Sequence, residues 1–143
     1  ELHERGLTFS GPAEAELQVL ISALEDILEA SLNCFTAADA GAAQAIEPLE
    51  ETIDQLVEEI RRRHIARLQT GSCTIQLGFI LNDLLGNFER VSDHCSNIAV
   101  SVIEEMNGGV SRHAYLHELT SEDGFSSTLR SDLGKYRLPE ETA

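Results

Sequence analysis

The sequence predicts an all-α protein: an up-down bundle of three long helices with an extra helical segment near the C-terminus. Two observations predict this fold class. Apolar residues recur every three or four positions along three long segments, as on the buried face of a helix. The break at residues 70–72 is so short that the helices on either side must lie antiparallel. A chain of 143 residues suffices for one domain with a core of its own.

The first predicted helix spans residues 12–38, and Ser10 is placed to cap its N-terminus. Its apolar stripe includes Leu17, Leu20, Leu24 and Ile27, at three- and four-residue spacing. This stripe predicts one face buried against the other helices.

The second predicted helix spans residues 40–69, with Asp39 as its N-cap and Gly71 as its C-terminal stop. Its stripe is Ile46, Leu49, Ile53, Leu56 and Ile60. Pro48 allows two alternatives, because proline removes a backbone donor and clashes with the preceding turn. It either opens a shorter helix or kinks a longer one.

The third predicted helix spans residues 73–107, with Ser72 as its cap and Gly108 at its end. Its apolar residues alternate four and three apart: Leu77, Leu81, Leu84, Phe88, Val91, Cys95, Ile98 and Val102. This is an unbroken heptad seam. A helix of about 30 residues is about 45 Å long, so the predicted shape is a rod.

The predicted domain plan has four parts. Residues 1–9 form a linker, 10–109 the three-helix bundle, 110–138 a C-terminal helical extension with sparse apolar residues, and 139–143 a frayed tail. The chain begins with Glu1 and its only methionine is Met106, so we expect it to be a piece of a longer product.

Composition excludes several classes of protein. The formal net charge of −15 repels phosphate backbones, so no nucleic acid is expected as a partner. Three cysteines without a CxxC pair indicate free thiols in a reducing compartment. There is no apolar run of the roughly 18 to 20 residues that span a bilayer, and no signal-peptide pattern at the start, so the sequence predicts a cytoplasmic location.

The sequence predicts no enzyme, because it contains no nucleophile elbow, no phosphate-binding glycine loop and no Glu-x-x-His pair on its helices. It does contain carboxylates one helical turn apart, Glu50 with Asp54 and Glu89 with Asp93. Each pair shares a helix face and could bind one hard cation. Acids at this spacing occur six times, however, against about four by chance, and Glu89 and Asp93 fall at outward heptad positions, so a solvated face is the alternative.

Two further groups allow both a functional and a structural interpretation. His113 and His117, next to Glu118, could ligate zinc or iron, or could be ordinary surface histidines. Four arginines lie near the end of the second helix: Arg61, Arg62, Arg63 and Arg67. They suit the helix dipole, and the spacing predicts i, i+4 pairs of Glu58 with Arg62 and of Glu59 with Arg63. An exposed arginine cluster could also dock an acidic partner or a phosphate.

Several segments resemble known proteins. Residues 50–56 and 87–99 resemble the PhoU family, and residues 62–69, 71–74 and 113–119 look more narrowly like the cytoplasmic C-terminal domain of bacterial sodium/phosphate symporters. The resemblance implies a spectrin-like three-helix rod that regulates phosphate uptake without catalysis. It departs from the family in one respect, because a full PhoU protein contains two such bundles and this chain contains one.

The resemblance also implies a metal site. PhoU-like domains carry (E/D)xxxD motifs that bind divalent ions, iron or zinc first and manganese or magnesium as further options. The matching ligands here are Glu50, Asp54, Glu89 and Asp93. Arg90 and His94 are expected as neighbours of the ligands, with His113 and His117 as weaker ligands.

The partners that the resemblance implies are the membrane domain of the same symporter and a second bundle, from a homodimer or a neighbouring PhoU-like repeat. The alternative function is a metal-free helical module that dimerises or docks to a transporter or kinase.

Overall fold

The computed structural model of the protein describes residues 4, 6–37, 40–106 and 123–140, and these residues form four helices without a strand. The helices are α1 (Gly11–Ala37), α2 (Ala40–Gln69), α3 (Ile75–Met106) and α4 (Asp123–Lys135). The predicted all-α class and the order of three long helices are therefore confirmed. In these ranges, no helix combines the length and the apolar character that crossing a membrane requires.

The core lies where α1, α2 and α3 face one another. Its fully buried large side chains come from all three helices and include Leu20, Ile27, Ile46, Ile53, Ile60, Leu81 and Leu85. Burying one such side chain contributes about 1.5–3 kcal/mol, so this shared core holds the bundle together.

The helix ends show which predicted caps are used. The Ser10 hydroxyl accepts a hydrogen bond from the Ala13 amide at 3.4 Å, which confirms the cap of α1. The predicted cap Asp39 lies outside the described residues. At the end of α2, Gly71 has a φ of +73°, a conformation that glycine adopts without steric cost. The Ser72 amide there donates to the Arg67 carbonyl at 2.9 Å, so Gly71 stops the helix as predicted.

The predicted cap of α3 was wrong. Thr74, and not Ser72, accepts the hydrogen bond of the first turn, from the Leu77 amide to its hydroxyl at 3.3 Å. Ser72 is still part of the turn that ends α2, and its hydroxyl lies 3.0 Å from that of Thr70. Helix α3 therefore begins at Ile75, two residues later than predicted, and its described part extends to Met106.

Pro48 lies inside α2, so the longer of the two predicted helices is present. The ring is buried, and the Pro48 carbonyl accepts a hydrogen bond from the Thr52 hydroxyl at 2.8 Å. Burial of the ring against the core offsets part of the cost of the missing backbone donor.

The buried face of α3 differs from the predicted heptad seam. Ile98 belongs to that seam but is 40% exposed, whereas Leu85, Ala99 and Ile103 outside it are buried. An α-helix with 3.6 residues per turn drifts by about 20° per heptad, and α3 faces two neighbours rather than one. Its buried stripe is therefore wider than a heptad seam and turns away from Ile98.

Helix α4 packs along α2, and the residues after it reach α1. The Asp26 carboxylate on α1 accepts hydrogen bonds from the Tyr136 hydroxyl and, at 2.6 Å, from the Lys135 ammonium. The Arg63 guanidinium on α2 donates to the Pro139 carbonyl at 2.6 Å. The C-terminal segment thus joins α1 to α2.

Two glycines inside α3 provide a matched test of this packing. A Cβ on Gly86 would meet no atom within 4 Å, whereas one on Gly78 would lie 2.9 Å from His64 Nε2. We predict that Gly86→Ala raises the free energy of unfolding by about 0.5–1 kcal/mol, because alanine is the better helix former. We predict that Gly78→Ala lowers it by about 1 kcal/mol or more, because the buried ring must move. Urea unfolding measures both changes, and a stabilised Gly78→Ala variant would contradict the close approach of α3 to His64.

Candidate functional site

Acidic side chains from α2 and α3 meet on one flank of the bundle. On α2 they follow one face at three- and four-residue spacing (Glu47, Glu50, Asp54), and on α3 they are Glu89 and Asp93. The charge of Asp93 acts on both Glu50 and Asp54, and that of Glu89 acts on Asp54. We call these five residues the acidic ladder. The structure therefore brings together all four of the predicted metal ligands, since the two helices are antiparallel.

The acidic ladder holds more negative charge than the protein neutralises. Burial raises the pKa of Glu50 to about 7, and repulsion from Asp54, Glu47, Asp93 and Glu51 adds to the effect. Burial also raises the pKa of Asp54, together with the charges of Asp93, Glu89 and Glu51. Like charges at this separation disfavour their common ionisation, so an added cation would be stabilised here.

Glu47 is a member of the acidic ladder that the sequence analysis did not select. It is only 9% exposed, and its Oε1 accepts a hydrogen bond from the buried Ser96 hydroxyl of α3 at 2.5 Å. The available signal was its position three residues before Glu50, on the same face of α2. One turn before Ser96, the Ser92 hydroxyl is buried and has no hydrogen-bond partner among the described residues.

Arg61 of α2 forms an ion pair with Glu89, the first of the two members of the acidic ladder along α3. Arg61 Nη2 on α2 donates to Glu89 Oε2 on α3 at 3.2 Å, and Arg61 Nη1 lies 3.5 Å from Glu58 Oε2. The side chains of Arg61 and Glu89 are about one-third exposed, so water screens this ion pair and its contribution to stability is small. Glu89 therefore already has a cationic neighbour supplied by the protein.

The other predicted site residues are not members of the acidic ladder. His94 lines a groove between α1 and α3, and Arg90 is exposed on α3. His113 and His117 lie outside the described residues.

The acidic ladder offers negatively charged oxygen donors, which are the ligand type that a hard divalent cation prefers. Carboxylate oxygens are ligands for hard cations such as Mg²⁺ and Mn²⁺, and burial, with added repulsion from neighbouring carboxylates, raises the pKa of Glu50. Within the described ranges, no three His, Cys, Asp or Glu side chains are grouped so that they could hold a metal ion as they stand. The flexible side chains of Glu50 and Glu89 would have to turn to complete a coordination shell.

Comparison with known proteins identifies the family. Residues 17–102, which contain the whole acidic ladder, match the PhoU domain. The chain belongs to the PhoU domain family. One relative is the phosphate-specific transport system accessory protein PhoU homolog 1 of Thermotoga maritima, which is 24% identical over 88 residues. That match covers 62% of this chain and 38% of the relative's length. No solved structure matches the chain.

The arginines of this PhoU domain hold its helices together, which supports their structural interpretation. The predicted pair of Glu59 with Arg63 is present at 2.9 Å, and Arg62 also binds Glu59. Arg67 binds the two carboxylate oxygens of Glu16 on α1 at 2.9 and 2.7 Å. Glu16 is 2% exposed and was not selected from the sequence, where nothing distinguishes it from exposed glutamates.

The buried His64, next to this ion-pair network, makes the stability of the protein depend on pH. Burial, assisted by the charge of Arg67, lowers the pKa of His64 below its ordinary value of 6.5, although the charge of Glu16 raises it. The unfolded chain therefore takes up a proton at a higher pH than the folded protein. The contribution of His64 to the free energy of unfolding is therefore fully present above about pH 6.5, and it is lost as the pH falls below that value.

We predict that His64→Gln removes this contribution. Between about pH 7.5 and 5.5, its free energy of unfolding, measured by urea unfolding, should fall less or rise more with decreasing pH than that of the wild type, in which Glu50 acts in the opposite direction. His94→Gln, at an exposed position on α3, is the matched control and is expected to retain the wild-type slope. Equal slopes for His64→Gln and the wild type would contradict the assignment to His64.

Proposed function

We propose that this PhoU domain is a non-catalytic regulator of phosphate uptake. The observation that carries the proposal is the family match over residues 17–102, which includes the three helices of the core and the acidic ladder between α2 and α3. The relative from Thermotoga maritima is named as an accessory protein of phosphate-specific transport, which supports the same physiological context.

The finer part of the proposal places the domain in a sodium/phosphate symporter. Residues 62–69 and 71–74, at the hairpin of α2 and α3, resemble the cytoplasmic domain of those transporters. The proposed partners are accordingly the membrane domain of the same symporter and a second PhoU bundle, from another copy or a neighbouring repeat. The chain matches only 38% of the length of its PhoU relative, so the activity of the relative as a whole is not transferred to this domain.

We further propose that the acidic ladder binds a divalent cation, iron or zinc first and manganese or magnesium as alternatives. Glu50 and Asp54 would hold the ion from α2, and Glu89 and Asp93 from α3. The ion would supply the positive charge that this flank lacks and would join the two helices. The mutual repulsion around Glu50 and Asp54 supports this role.

The ion pair of Arg61 with Glu89 suggests how a partner protein could distinguish the metal-bound from the metal-free state of the ladder. In the present structure, Glu89 Oε2 accepts a hydrogen bond from Arg61 Nη2 at 3.2 Å. A Glu89 side chain that turns toward a bound cation gives up this contact, which leaves the exposed Glu58 as the remaining carboxylate beside the Arg61 guanidinium. Arg61 would then be available to an acidic or carbonyl-rich partner surface.

A metal-free interaction module is the second candidate function. Two observations favour it: Glu89 already has a cationic partner in Arg61, and exposed apolar side chains lie on the bundle surface away from the ladder. In this case the acids of the ladder would serve only solubility.

Phosphate uptake by cells that produce the full-length protein tests the proposed function. The variant is Glu89→Gln/Asp93→Asn, and the matched control is Glu14→Gln/Asp83→Asn, which removes the same charge at two exposed positions outside the ladder. We expect the ladder variant to lose the response of radiolabelled phosphate uptake to phosphate supply, and the control to keep it. A normal response in the ladder variant, with loss of the response when the domain is deleted, would favour the metal-free module. A normal response without the domain would contradict a regulatory role.

A further inference from the structure

The groove between α1 and α3 is apolar, and no other helix of the described residues covers it. On α1, Leu28, Leu32 and Phe35 occupy one face at i, i+4 and i+7, and their exposed fractions are 49%, 62% and 69%. Ile98 of α3 faces them and is 40% exposed. Two adjoining cavities of about 410 and 330 Å³ share Phe35, His94 and Ile98. Grouped apolar exposure of this kind marks an interaction surface.

The other two sides of the bundle differ from this groove. The α2–α3 flank carries the acidic ladder and, near its hairpin, an apolar cavity of about 300 Å³ lined by Ile65, Ile75 and Phe79, with the cationic Arg61 in place of an acidic rim. The side formed by α1 and α2 is crossed by α4 and Tyr136. Across the ranges that the structure describes, no helix lies on the α1–α3 groove. Helix α4 covers the α1–α2 side, so a helix has a suitable shape for a groove between two helices of this bundle.

The charges around the groove indicate the chemistry of its occupant. Glu25 and Glu29 lie three residues before Leu28 and Leu32, on the adjacent strip of α1, and both are exposed. Glu105 lines the larger cavity on α3. An occupant with basic flanks complements this rim.

The covered side uses the same complementarity, because Lys135 at the end of α4 binds Asp26 of α1 at 2.6 Å. A second copy of the chain is a poor match by comparison, since each copy has a net charge of −15 and the same acidic rim.

We propose that the α1–α3 groove docks an amphipathic helix of a partner protein, with an apolar stripe at i, i+4 and i+7 and lysine or arginine on both flanks. The stripe seats on Leu28, Leu32, Phe35 and Ile98, and the basic flanks face Glu25, Glu29 and Glu105. This binding mode is independent of the acidic ladder and of any cation there, because its residues lie on the other side of α3.

A synthetic helix provides the probe. It carries leucines at i, i+4 and i+7, lysines on the flanks and a fluorescein label, and fluorescence anisotropy measures its binding to the full chain. Two control peptides separate shape from charge: a scrambled peptide of the same composition, and a helix with glutamates in place of lysines. We expect both controls to bind at least about tenfold more weakly. The scrambled peptide lacks the apolar stripe, and the glutamate peptide lacks the basic flanks.

Protein variants locate the site. Leu32→Ser/Phe35→Ser is expected to weaken binding at least about tenfold, and Glu105→Lys to weaken it with a reduced dependence on salt. Phe79→Ser, at a position that is 74% exposed near the start of α3, is the matched control and is expected to stay within about twofold of the wild type. Because these side chains are exposed, the variants are expected to fold, and circular dichroism checks this.

Three results would overturn the proposal. The first is equal binding of the scrambled peptide, which would show charge attraction alone. The second is an equal loss of binding in Phe79→Ser. The third is a wild-type dimer in sedimentation that dissociates in Leu32→Ser/Phe35→Ser, which would show that a second copy occupies the groove.

Discussion

Glu16→Gln is expected to lower the free energy of unfolding by about 3 kcal/mol. Glu16 is buried in α1, and its two carboxylate oxygens bind Arg67 of α2 at 2.9 and 2.7 Å, with Arg63 at 3.4 Å. Removal of one partner from a buried ion pair leaves the other charge without compensation, which typically costs about 3–5 kcal/mol. The lower end applies because Arg63 also binds Glu59.

The matched control for this prediction is Glu14→Gln, one half-turn earlier on α1 and exposed to solvent. Its effect is expected to stay within about 0.5 kcal/mol. Urea unfolding at neutral pH measures both variants. A loss below about 1 kcal/mol in Glu16→Gln would show that the contact of α1 with the arginines contributes little to folding.

Neutralising the α2 half of the acidic ladder is expected to have opposite effects without and with metal. In metal-free protein, Glu50→Gln/Asp54→Asn relieves the repulsion from Glu89 and Asp93, and the free energy of unfolding should rise by about 1 kcal/mol. In the wild type, a cation at 100 times its Kd stabilises the fold by about 2.7 kcal/mol, and we expect the variant to lose this gain.

Thermal unfolding with EDTA and with added Mn²⁺ measures both effects. Glu25→Gln/Glu29→Gln, with the same spacing on the exposed face of α1, is expected to retain the wild-type response to Mn²⁺. A ladder variant that is destabilised in EDTA would contradict the crowding of charge around Glu50 and Asp54.

The sequence predicted those parts of the fold that depend on local chemistry. Ser10 caps α1 and Gly71 stops α2, because a hydroxyl before a helix and a glycine after it act on their own neighbours. Thr74 could not be separated from Ser72 in this way, since both are hydroxyl residues near the start of α3 and the turn decides between them. The exposure of Ile98 depends on how α3 packs against two helices, which a heptad pattern does not contain.

The candidate site was predictable to a similar degree. Spacing and the family resemblance selected Glu50, Asp54, Glu89 and Asp93, and the antiparallel hairpin brings these acids together on one flank. The buried acids Glu16 and Glu47 were not selected, because their burial and their partners follow from tertiary packing. The groove beside Phe35 likewise becomes visible only when α1 and α3 are placed side by side.

A count of bound metal ions decides whether the acidic ladder is a metal site. Untagged wild-type protein and Glu89→Ala/Asp93→Ala are loaded with iron, zinc or manganese, dialysed exhaustively and analysed for metal per chain. We predict at least one ion per chain in the wild type and none in the variant, because the variant keeps only the α2 half of the ladder. Equal counts in the two proteins, or no metal in either, would contradict a metal site on the acidic ladder and would assign the function of this PhoU domain to protein contacts alone.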